Sequence, residues 1–392
     1  MGDVLHDHRT LCRAAERARQ IATDDIWLDA GPRSTDPGWQ QIFKTKVRSS
    51  LPTSADEIVA RGFVTVGSPG GHRESYVETL SGITGLTRLI EPRGISTLRT
   101  LLAADAVLFA TLEDDIAFFF AVTILRAVLG RHTVAIFMSP RRCFTTGFNS
   151  VVRRHAFRFL KRLRSVTLLS ILPFYLDRRF ASVADDWIYD PQFWDLDSRI
   201  ENADWPDSAL AQDVKQKAQG RPILLFLGGP SVMKGFPFLA KILQAKPAIT
   251  DRLMIVVAGK VPEDQKQFAG LVSEAGGLVI DRYLTDDEVL SAKLCATCLW
   301  ACYDPSYDSS SGLFGRAMQL GKQAIVRRGS YIDSIASHLN YPAHRCAFGD
   351  IDEGVAVLME IGEADAPPQP DCMAMTCRDQ SVARLRAALA NQ

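Results

Sequence analysis

Short apolar runs alternate with helical patterns through the first half of the chain. Phe63–Val66, Ala106–Ala110 and Thr133–Met138 each have the length and apolar content of a buried strand. His72–Leu80 and the window Ile116–Gly130 have the pattern of helices between them. Strands that are apolar on both faces are typical of a parallel sheet covered by helices, so the pattern predicts an α/β domain.

A second alternating series follows in the other half of the chain. Its predicted strands are Pro222–Leu227, Leu253–Ala258, Gly277–Ile280, Cys298–Cys302 and Gln323–Val326. The fold prediction is therefore α/β, with two consecutive Rossmann-like, doubly wound parallel-sheet domains. Ligands of such domains bind beyond the carboxyl ends of the strands.

The segment between the two series is acidic and rich in tryptophan and proline, and we place the domain junction there. The predicted organisation is an N-terminal extension over residues 1–60, a first domain over 61–205, a second over 206–370 and a C-terminal helix over 371–392. Within the extension, the sequence indicates a helix near Arg9–Ala22.

Composition narrows the class of protein. The 392 residues carry no net charge, so the composition is not that of a nucleic-acid-binding protein. The first residues lack the basic and apolar regions of a secretory signal, which favours a cytoplasmic protein. Ile116–Gly130 is too short to span a bilayer, so we expect a buried helix there.

Cysteines occur in apolar contexts. Cys295, Cys298 and Cys302 form the only close set, and no second ligand pair lies at a spacing that suits zinc. We therefore predict core packing for these thiols and no metal site.

Three loops each follow a predicted strand. In the first, the adjacent Gly70 and Gly71 let the backbone approach a phosphate or sugar closely, although a tight turn explains them equally well. In the second, Lys234 follows Gly228 and Gly229 at a spacing that fails the Walker pattern. Its ammonium is either a point charge for a diphosphate or a solvated lysine.

The third loop is rich in serine and opens a predicted helix. Ser310, Ser311 and Gly312 leave backbone N–H groups at the helix start, where an anion such as a diphosphate binds readily. A serine N-cap is the simpler interpretation of the same residues.

The order of these loops resembles the GT-B glycosyltransferases, in particular the large retaining family that uses nucleotide-activated sugars (family 4). The resemblance covers about Gly62 to Ala336 and includes the following positions: Gly70, Gly71, Gly228, Lys234, Gly235, Ala317, Met318 and Gly321. Two positions depart from the family pattern. Gly229 stands where arginine is usual, and Arg316 replaces the second of two glutamates, while Asp308 occupies the place of the first.

The resemblance implies transfer of a sugar from a nucleotide diphosphate to a hydroxyl without a metal or other cofactor. Lys234 and the amides near Ser310–Gly312 would stabilise the leaving diphosphate, and Asp308 would contact the donor sugar. Asp281–Leu284, with Tyr283, falls where the family binds the nucleobase, and Thr285 begins the next helix with a capping box. His72 would contact donor or acceptor, with a structural histidine as the alternative.

The implied donor-binding residues are Gly70, Gly71, Gly228, Gly229, Lys234, Tyr283, Asp308, Ser310, Ser311, Gly312 and Arg316. The implied catalytic residues are Asp308, Lys234 and His72. Arg316 would reach a phosphate in place of the ribose contact made by the missing glutamate.

Basic residues are concentrated in one part of the chain. No acidic residue occurs from Ile116 to Leu176, and Phe148–Val166 combines apolar positions with Arg153, Arg154, Arg158 and Lys161. This pattern predicts an amphipathic helix on an anionic membrane surface, or a packed helix with a solvated basic face. The membrane interpretation suits a lipid-linked acceptor and a position on the inner face of the cell membrane. Arg141 and Arg142 are further candidates for an anionic acceptor.

The sequence therefore favours a glycosyltransferase with a glycan or lipid-linked acceptor, in the synthesis of a surface or extracellular polysaccharide. The departures at Gly229 and Arg316 leave a second hypothesis, a non-catalytic scaffold or regulator that binds a sugar nucleotide. A sugar-nucleotide epimerase is a third, for which the sequence assigns no acid–base residues.

Overall fold

The computed structural model describes residues 62–66, 72–90, 94–196, 205–363 and 371–390. Its first sheet has six parallel strands in the spatial order β2-β1-β3-β4-β5-β6. The strands are β1 (Gly62–Val66), β2 (Thr87–Leu89), β3 (Ala106–Thr111), β4 (His132–Phe137), β5 (Val166–Ser170) and β6 (Asp186–Trp187). The α-helices between them are α1 (His72–Thr84), α2 (Ile95–Ala103), α3 (Ile116–Val128) and α4 (Phe148–Leu160).

The second sheet also has six parallel strands, in the order β12-β11-β10-β7-β8-β9. They are β7 (Ile223–Leu227), β8 (Met254–Ala258), β9 (Leu278–Ile280), β10 (Cys298–Ala301), β11 (Gln323–Arg327) and β12 (His344–Cys346). The associated helices are α5 (Ala209–Ala218), α6 (Phe236–Ala245), α7 (Lys266–Glu274), α8 (Asp286–Cys295), α9 (Gly312–Gln319), α10 (Tyr331–His338), α11 (Ile351–Glu363) and α12 (Asp371–Ala390).

Each sheet separates two apolar cores, which confirms the predicted α/β class with two doubly wound sheets. Along β7, Ile223 and Leu225 pack on one face, while Leu224 and Phe226 pack on the other. The first sheet is covered on both faces in the same way. Continuous apolar runs mark these strands because neither face of the sheet meets water.

The strands of the two sheets lie on either side of residue 205, within residues 62–187 and 223–346. The domain limits drawn from the sequence remain predictions, and the extension over residues 1–60 with its predicted helix lies outside the described residues. Among the helices in the described ranges, none has both the length and the apolar content needed to cross a membrane.

Two predictions about the helices of the first domain were wrong. The predicted amphipathic helix does not reach Val166: α4 ends at Leu160, and Val166 opens β5. Pairing with β4 overrides the apolar and basic pattern there. The helix α3 is not fully buried either, because Val128 is 80% exposed and Leu125 and Leu129 are also exposed.

The C-terminal helix α12 packs against both domains. Leu385 and Leu389 belong to a core of the first sheet, while Cys377 belongs to a core of the second. The Ser381 hydroxyl accepts a 3.0 Å hydrogen bond from the Tyr189 backbone N–H, and the Arg384 guanidinium lies 3.6 Å from the ring centre of Trp187. The helix thereby holds the segment that leaves the first sheet.

Arg126 is fully buried and holds together the base of the first domain. Its five N–H groups donate to the backbone carbonyls of Leu101, Ala104, Asp105 and His132 and to the Thr133 hydroxyl. Burial, and then the nearby Arg131, lower the pKa of Arg126 to about 10, so it stays charged at neutral pH. One side chain thus links α2, α3 and β4.

We expect Arg126→Met to lower the free energy of unfolding by about 3 kcal/mol or more, because several carbonyls would stay buried without a donor. Urea unfolding followed by circular dichroism measures this loss. Arg158→Met, on an exposed turn of α4, is the matched control and should change stability by less than about 0.5 kcal/mol. Equal effects of the two substitutions would contradict the structural role of Arg126.

Candidate functional site

An open cleft of about 980 Å³ lies at the carboxyl edge of the second sheet. Loops that follow three of its strands line the cleft, together with the first turns of α9 and with Gln192 from the segment between the sheets. The lining of this cleft includes the following residues: Gln192, Gly228, Gly229, Lys260, Tyr283, Lys293, Gly312, Leu313 and Arg316. This edge is where ligands bind in doubly wound domains.

The loops after β7 and β8 touch each other through glycine. The Gly228 N–H donates a 2.8 Å hydrogen bond to the Ala258 carbonyl, and φ of Gly228 is +86°. Gly259 has φ of +146°, and a Cβ added to it would lie 2.6 Å from the carbonyl carbon of Gly228. No side chain fits between the two loops, so backbone atoms form this wall of the cleft.

Lys234 lies against the same wall. A Cβ on Gly228 would be 2.7 Å from the Lys234 Nζ, so the ammonium occupies the space beside this glycine. Burial lowers the pKa of Lys234, and no carboxylate in the described ranges lies within 4 Å of it. The next residue, Gly235, has φ of +74°, and a Cβ there would be 2.2 Å from the Cys302 carbonyl. Lys234 is therefore a firmly placed cation without an acidic partner in the described chain.

Ser311 is the N-cap of α9, as the simpler interpretation of the serine loop predicts. Its hydroxyl accepts a 3.2 Å hydrogen bond from the Phe314 N–H and bonds to the Tyr303 hydroxyl at 2.9 Å. Ser310 is also buried and lies beside Asp190. Both seryl side chains point away from the cleft, and Gly312 and Leu313 line it instead.

Asp308 does not line this cleft. Its Oδ1 accepts a 2.8 Å hydrogen bond from the Tyr331 N–H and lies 3.3 Å from the Arg327 guanidinium. Arg141 of the first domain donates to the backbone carbonyls of Ser306 at 3.1 Å and Asp308 at 3.3 Å. Arg141, which the sequence makes a candidate for binding an anionic acceptor, thus connects the two domains beside the serine loop.

Arg316 forms a buried ion pair where the related pattern has a glutamate. Its Nη2 lies 2.5 Å from the Asp195 Oδ2, and both side chains are largely buried. Gln319 donates to the other oxygen of Asp195 at 3.1 Å and to the Gln192 carbonyl at 2.7 Å. The pair attaches α9 to the segment that connects the two sheets.

Lys293 lies in the same wall and was missed by sequence reasoning. It is 8% exposed, and burial, followed by repulsion from Arg316, lowers its pKa to about 7. Its one signal in the sequence is a lysine among the otherwise uncharged residues Leu290–Cys295 of α8. No motif surrounds it, which is why the residue did not stand out.

Tyr283 stands at the mouth of the cleft, where its ring is 84% exposed. The neighbouring Arg282 forms a two-point ion pair with Glu288, at 2.9 and 2.6 Å. Thr285 and Glu288 form the predicted capping box at the start of α8. The backbone of Tyr283 is therefore held by its neighbours, while its ring faces solvent.

The structure thus brings together five of the predicted donor-binding residues: Gly228, Gly229, Tyr283, Gly312 and Arg316. Lys234 adjoins Gly228, Ser310 and Ser311 lie behind the cleft, and Asp308 lies outside its lining. Gly70 and Gly71 fall outside the described residues. The backbone of His72 opens α1, and its side chain is likewise outside the description.

Comparison with known proteins supports the fold. No protein-family model and no curated protein sequence matches the chain. Among solved structures, HepE of Anabaena in complex with UDP-glucose matches with a TM-score of 0.55 and 12% identity, over 84% of this chain and 98% of that one. A glycosyltransferase from Rickettsia africae matches with a TM-score of 0.52 and 8% identity, over 84% and 96%.

A third match is the sucrose-phosphate synthase of Thermosynechococcus elongatus, with a TM-score of 0.50 and 12% identity over 84% of this chain and 95% of that one. At these identities the similarity shows the fold. The chain has the two-domain GT-B fold that the sequence predicts.

We expect Arg316→Met to lower the free energy of unfolding by about 3 kcal/mol, because the buried Asp195 carboxylate would lose its cationic partner. Asp195→Asn in the same chain should remove most of that penalty. A double-mutant cycle in urea measures the coupling, which we expect to exceed about 1 kcal/mol. Additive effects would show that the ion pair contributes nothing to stability.

Proposed function

We propose that the protein is a glycosyltransferase that takes a sugar from a nucleotide diphosphate and transfers it to a glycan or lipid-linked acceptor. The cleft carries the proposal: backbone glycines, the ring of Tyr283 and the ammonium of Lys293 line one space at the carboxyl edge of the second sheet, and Lys234 adjoins it. The fold agrees, since HepE has a similar structure and was solved with UDP-glucose. We place the reaction in the synthesis of a surface or extracellular polysaccharide.

Lys234 is the residue we assign to the diphosphate. Gly228 and Gly259 present bare backbone to the cleft, so a phosphate can approach the loop closely, and the ammonium stands beside it. As the bond between sugar and diphosphate breaks, negative charge grows on the leaving group. A preorganised ammonium and the N–H groups at the start of α9 stabilise that charge without a metal ion.

The exposed ring of Tyr283 suits a nucleobase at the mouth of the cleft, because stacking on an aromatic face requires an open ring. Asp308 remains our candidate for the donor sugar, with its Oδ1 already bonded to the Tyr331 N–H. His72 and the glycines Gly70 and Gly71 complete the proposed site from the first domain. We propose a retaining outcome because the motifs resemble those of the large retaining family.

A non-catalytic sugar-nucleotide-binding scaffold is the second candidate, and Arg316 is the observation that favours it. The arginine and Asp195 form an ion pair at a position where the family that the sequence resembles has a glutamate that holds the ribose. Turnover separates the two candidates: both bind a sugar nucleotide, and only the enzyme releases a nucleoside diphosphate.

We also propose that the first domain binds an anionic membrane surface through α3 and α4. A groove of about 1010 Å³ lies between them, lined in part by Val128, Phe159 and Leu163. Phe148, at the start of α4, is 80% exposed. Three arginines of α4 have no carboxylate of the described chain within 4 Å: Arg153, Arg154 and Arg158.

Lys161, the fourth predicted membrane residue, has a different role. Its ammonium donates to the Ala181 carbonyl at 2.6 Å and to the Ala184 carbonyl at 2.7 Å. These bonds hold the end of α4 against the turn before β6. Shortly before α4, Arg141 contacts the serine loop, so the start of α4, with the exposed Phe148, lies toward the second domain. The groove itself lies at the opposite edge of the first sheet, beside the starts of β4 and β5.

Lys234→Met should weaken binding of the preferred nucleoside diphosphate by about 10- to 100-fold, because a charge-assisted contact to phosphate is lost. Gly228→Ala should have a similar effect although the lysine is kept, since the new methyl group would displace its ammonium. Lys241→Met, at an exposed lysine of α6 outside the cleft lining, is the control and should bind like wild type. Calorimetry with UDP, GDP and ADP provides the measurement.

Wild-type affinity in Lys234→Met would remove Lys234 from the phosphate site. Release of UDP, GDP or ADP from the matching glucose conjugate by the wild-type protein would establish an enzyme. Tight binding with no release in the presence of a lipid-linked glycan would favour the scaffold.

Replacing Arg153, Arg154 and Arg158 together by glutamine should reduce binding to vesicles that contain phosphatidylglycerol by at least about 10-fold, since each basic residue near such a surface contributes about 1 kcal/mol. Sedimentation with the vesicles measures the bound fraction. The control replaces three exposed lysines of the second domain, Lys215, Lys241 and Lys246, and makes the same change in net charge. If both triple variants bind alike, the arginines form a solvated face.

A further inference from the structure

Lys293 and Arg316 form a pair of buried cations in the wall of the cleft. Lys293 is 8% exposed, the Arg316 side chain is 16% exposed, and both line the cavity. They come from different helices, α8 and α9, and each acts on the other electrostatically, because Arg316 helps to lower the pKa of Lys293. The fold thus places two like charges together at one point of the proposed ligand site.

These two cations share one carboxylate. Asp195 pairs with Arg316 through one oxygen and accepts from Gln319 through the other. In the described ranges, Lys293 has no hydrogen bond or ion pair, and the buried Nε of Arg316 has no acceptor. Two donor groups, the Lys293 ammonium and the Arg316 Nε–H, are thus left without an acceptor, and the charge of Lys293 has no ion-pair partner.

Burial of donor groups without an acceptor is costly. A buried ammonium and a buried N–H group each lose their interactions with water and gain nothing in return unless an acceptor arrives. An anion in the cleft would supply the missing acceptor for both groups and balance the charge. Guanidinium and ammonium groups together are typical partners of phosphate and carboxylate.

This position is separate from Lys234. Lys234 lies beside Gly228 after β7, whereas Lys293 and Arg316 come from α8 and α9. The cleft therefore has two points of positive charge along its length.

We propose that Lys293 and Arg316 form a second anion subsite, which binds a phosphate or carboxylate group of the ligand in the cleft. The inference rests on the proposed function, in which that ligand is a nucleotide sugar. The anionic group has two possible sources: the diphosphate itself, or a carboxylate on the transferred sugar, as in a uronic acid.

Binding should depend on pH. The charged groups that act on Lys293 are Arg316 on α9, Asp195 on the connecting segment and Asp286 on its own helix. On α5, which packs against α8, Asp213 and Lys217 pair with each other on an exposed face. An anion stabilises the ammonium form of Lys293, so the subsite is strongest below pH 7 and weakens as the pH rises and the free lysine loses its proton.

The test compares wild type with Lys293→Met by calorimetry at about pH 6 and about pH 9, on either side of the Lys293 pKa. Four probes are used: pyrophosphate, UDP, UDP-glucose and UDP-glucuronate. At the lower pH the variant should bind about 10-fold more weakly than wild type, and at the higher pH the two should converge. Lys215→Met, an exposed lysine on α5, is the control and should match wild type at both pH values.

The probes distinguish the two sources. A loss with all four probes assigns the subsite to the diphosphate, whereas a loss with UDP-glucuronate alone assigns it to a sugar carboxylate. Because the substitution removes a buried charge, the variant should melt at the same temperature as wild type or higher near pH 6, which shows that it is folded.

Equal affinities of wild type and Lys293→Met for every probe at both pH values would overturn the subsite and leave the proposed function intact. If the wild-type protein binds pyrophosphate more tightly than Lys293→Met does but binds none of the uridine nucleotides, the subsite is supported and a uridine donor is overturned. If none of the four probes binds to the wild-type protein, both the subsite and a uridine donor are overturned.

Discussion

The close fit between the segment that leaves the first sheet and the start of α9 is the constraint on which the candidate site depends. A Cβ on Gly312 would overlap the Gln192 side-chain oxygen at 1.3 Å, and one on Gly315 would lie 2.6 Å from the Gln192 carbonyl. Two glycines on one face of a helix therefore let another stretch of backbone lie directly against it. Gln319 continues this contact by hydrogen bonds to Gln192 and Asp195. The helix start that lines the cleft is held by residues of the segment that connects the two sheets.

The same fit explains the charges in the cleft wall. Water is excluded where α9 meets the connecting segment, so a charged side chain there needs a partner within the protein. Arg316 has Asp195, and a glutamate at position 316 would instead face that carboxylate. The departure from the pattern of the related enzymes is thus matched by an acid on the connecting segment. Lys293 then remains as a cation of this wall that forms no ion pair within the described residues.

Much of the fold could be predicted because buried parallel strands are apolar on both faces. β3, β4, β8 and β10 are buried along their whole length, and each appears in the sequence as an apolar run. The edge strand β2 has three residues, two of them exposed, and leaves no comparable pattern. The start of β5 was hidden because basic and apolar residues continue past the end of α4, and pairing with β4 decides the conformation there.

The candidate site could be predicted where a residue belongs to a glycine loop or to a pattern within one element, as Gly228 and Tyr283 do. Glycines after β7 mark a loop that a ligand can approach, and their identity alone carries that information. Lys293 and Asp195 carry no such signal, because their importance comes from a meeting of α8, α9 and the connecting segment. Sequence spacing within one element cannot reveal which residues of three elements share a buried space.

The serine loop has two interpretations, a helix cap and an anion site, and in the structure one does not exclude the other. The first four N–H groups of a helix have no partner within it. Ser311 takes one of them, the Phe314 N–H, through its hydroxyl. Within the described residues, the N–H groups of Gly312 and Leu313 form no hydrogen bond, and both residues line the cleft. A buried cap fixes the first turn, and a fixed first turn is what leaves two donors in place for a ligand's phosphate.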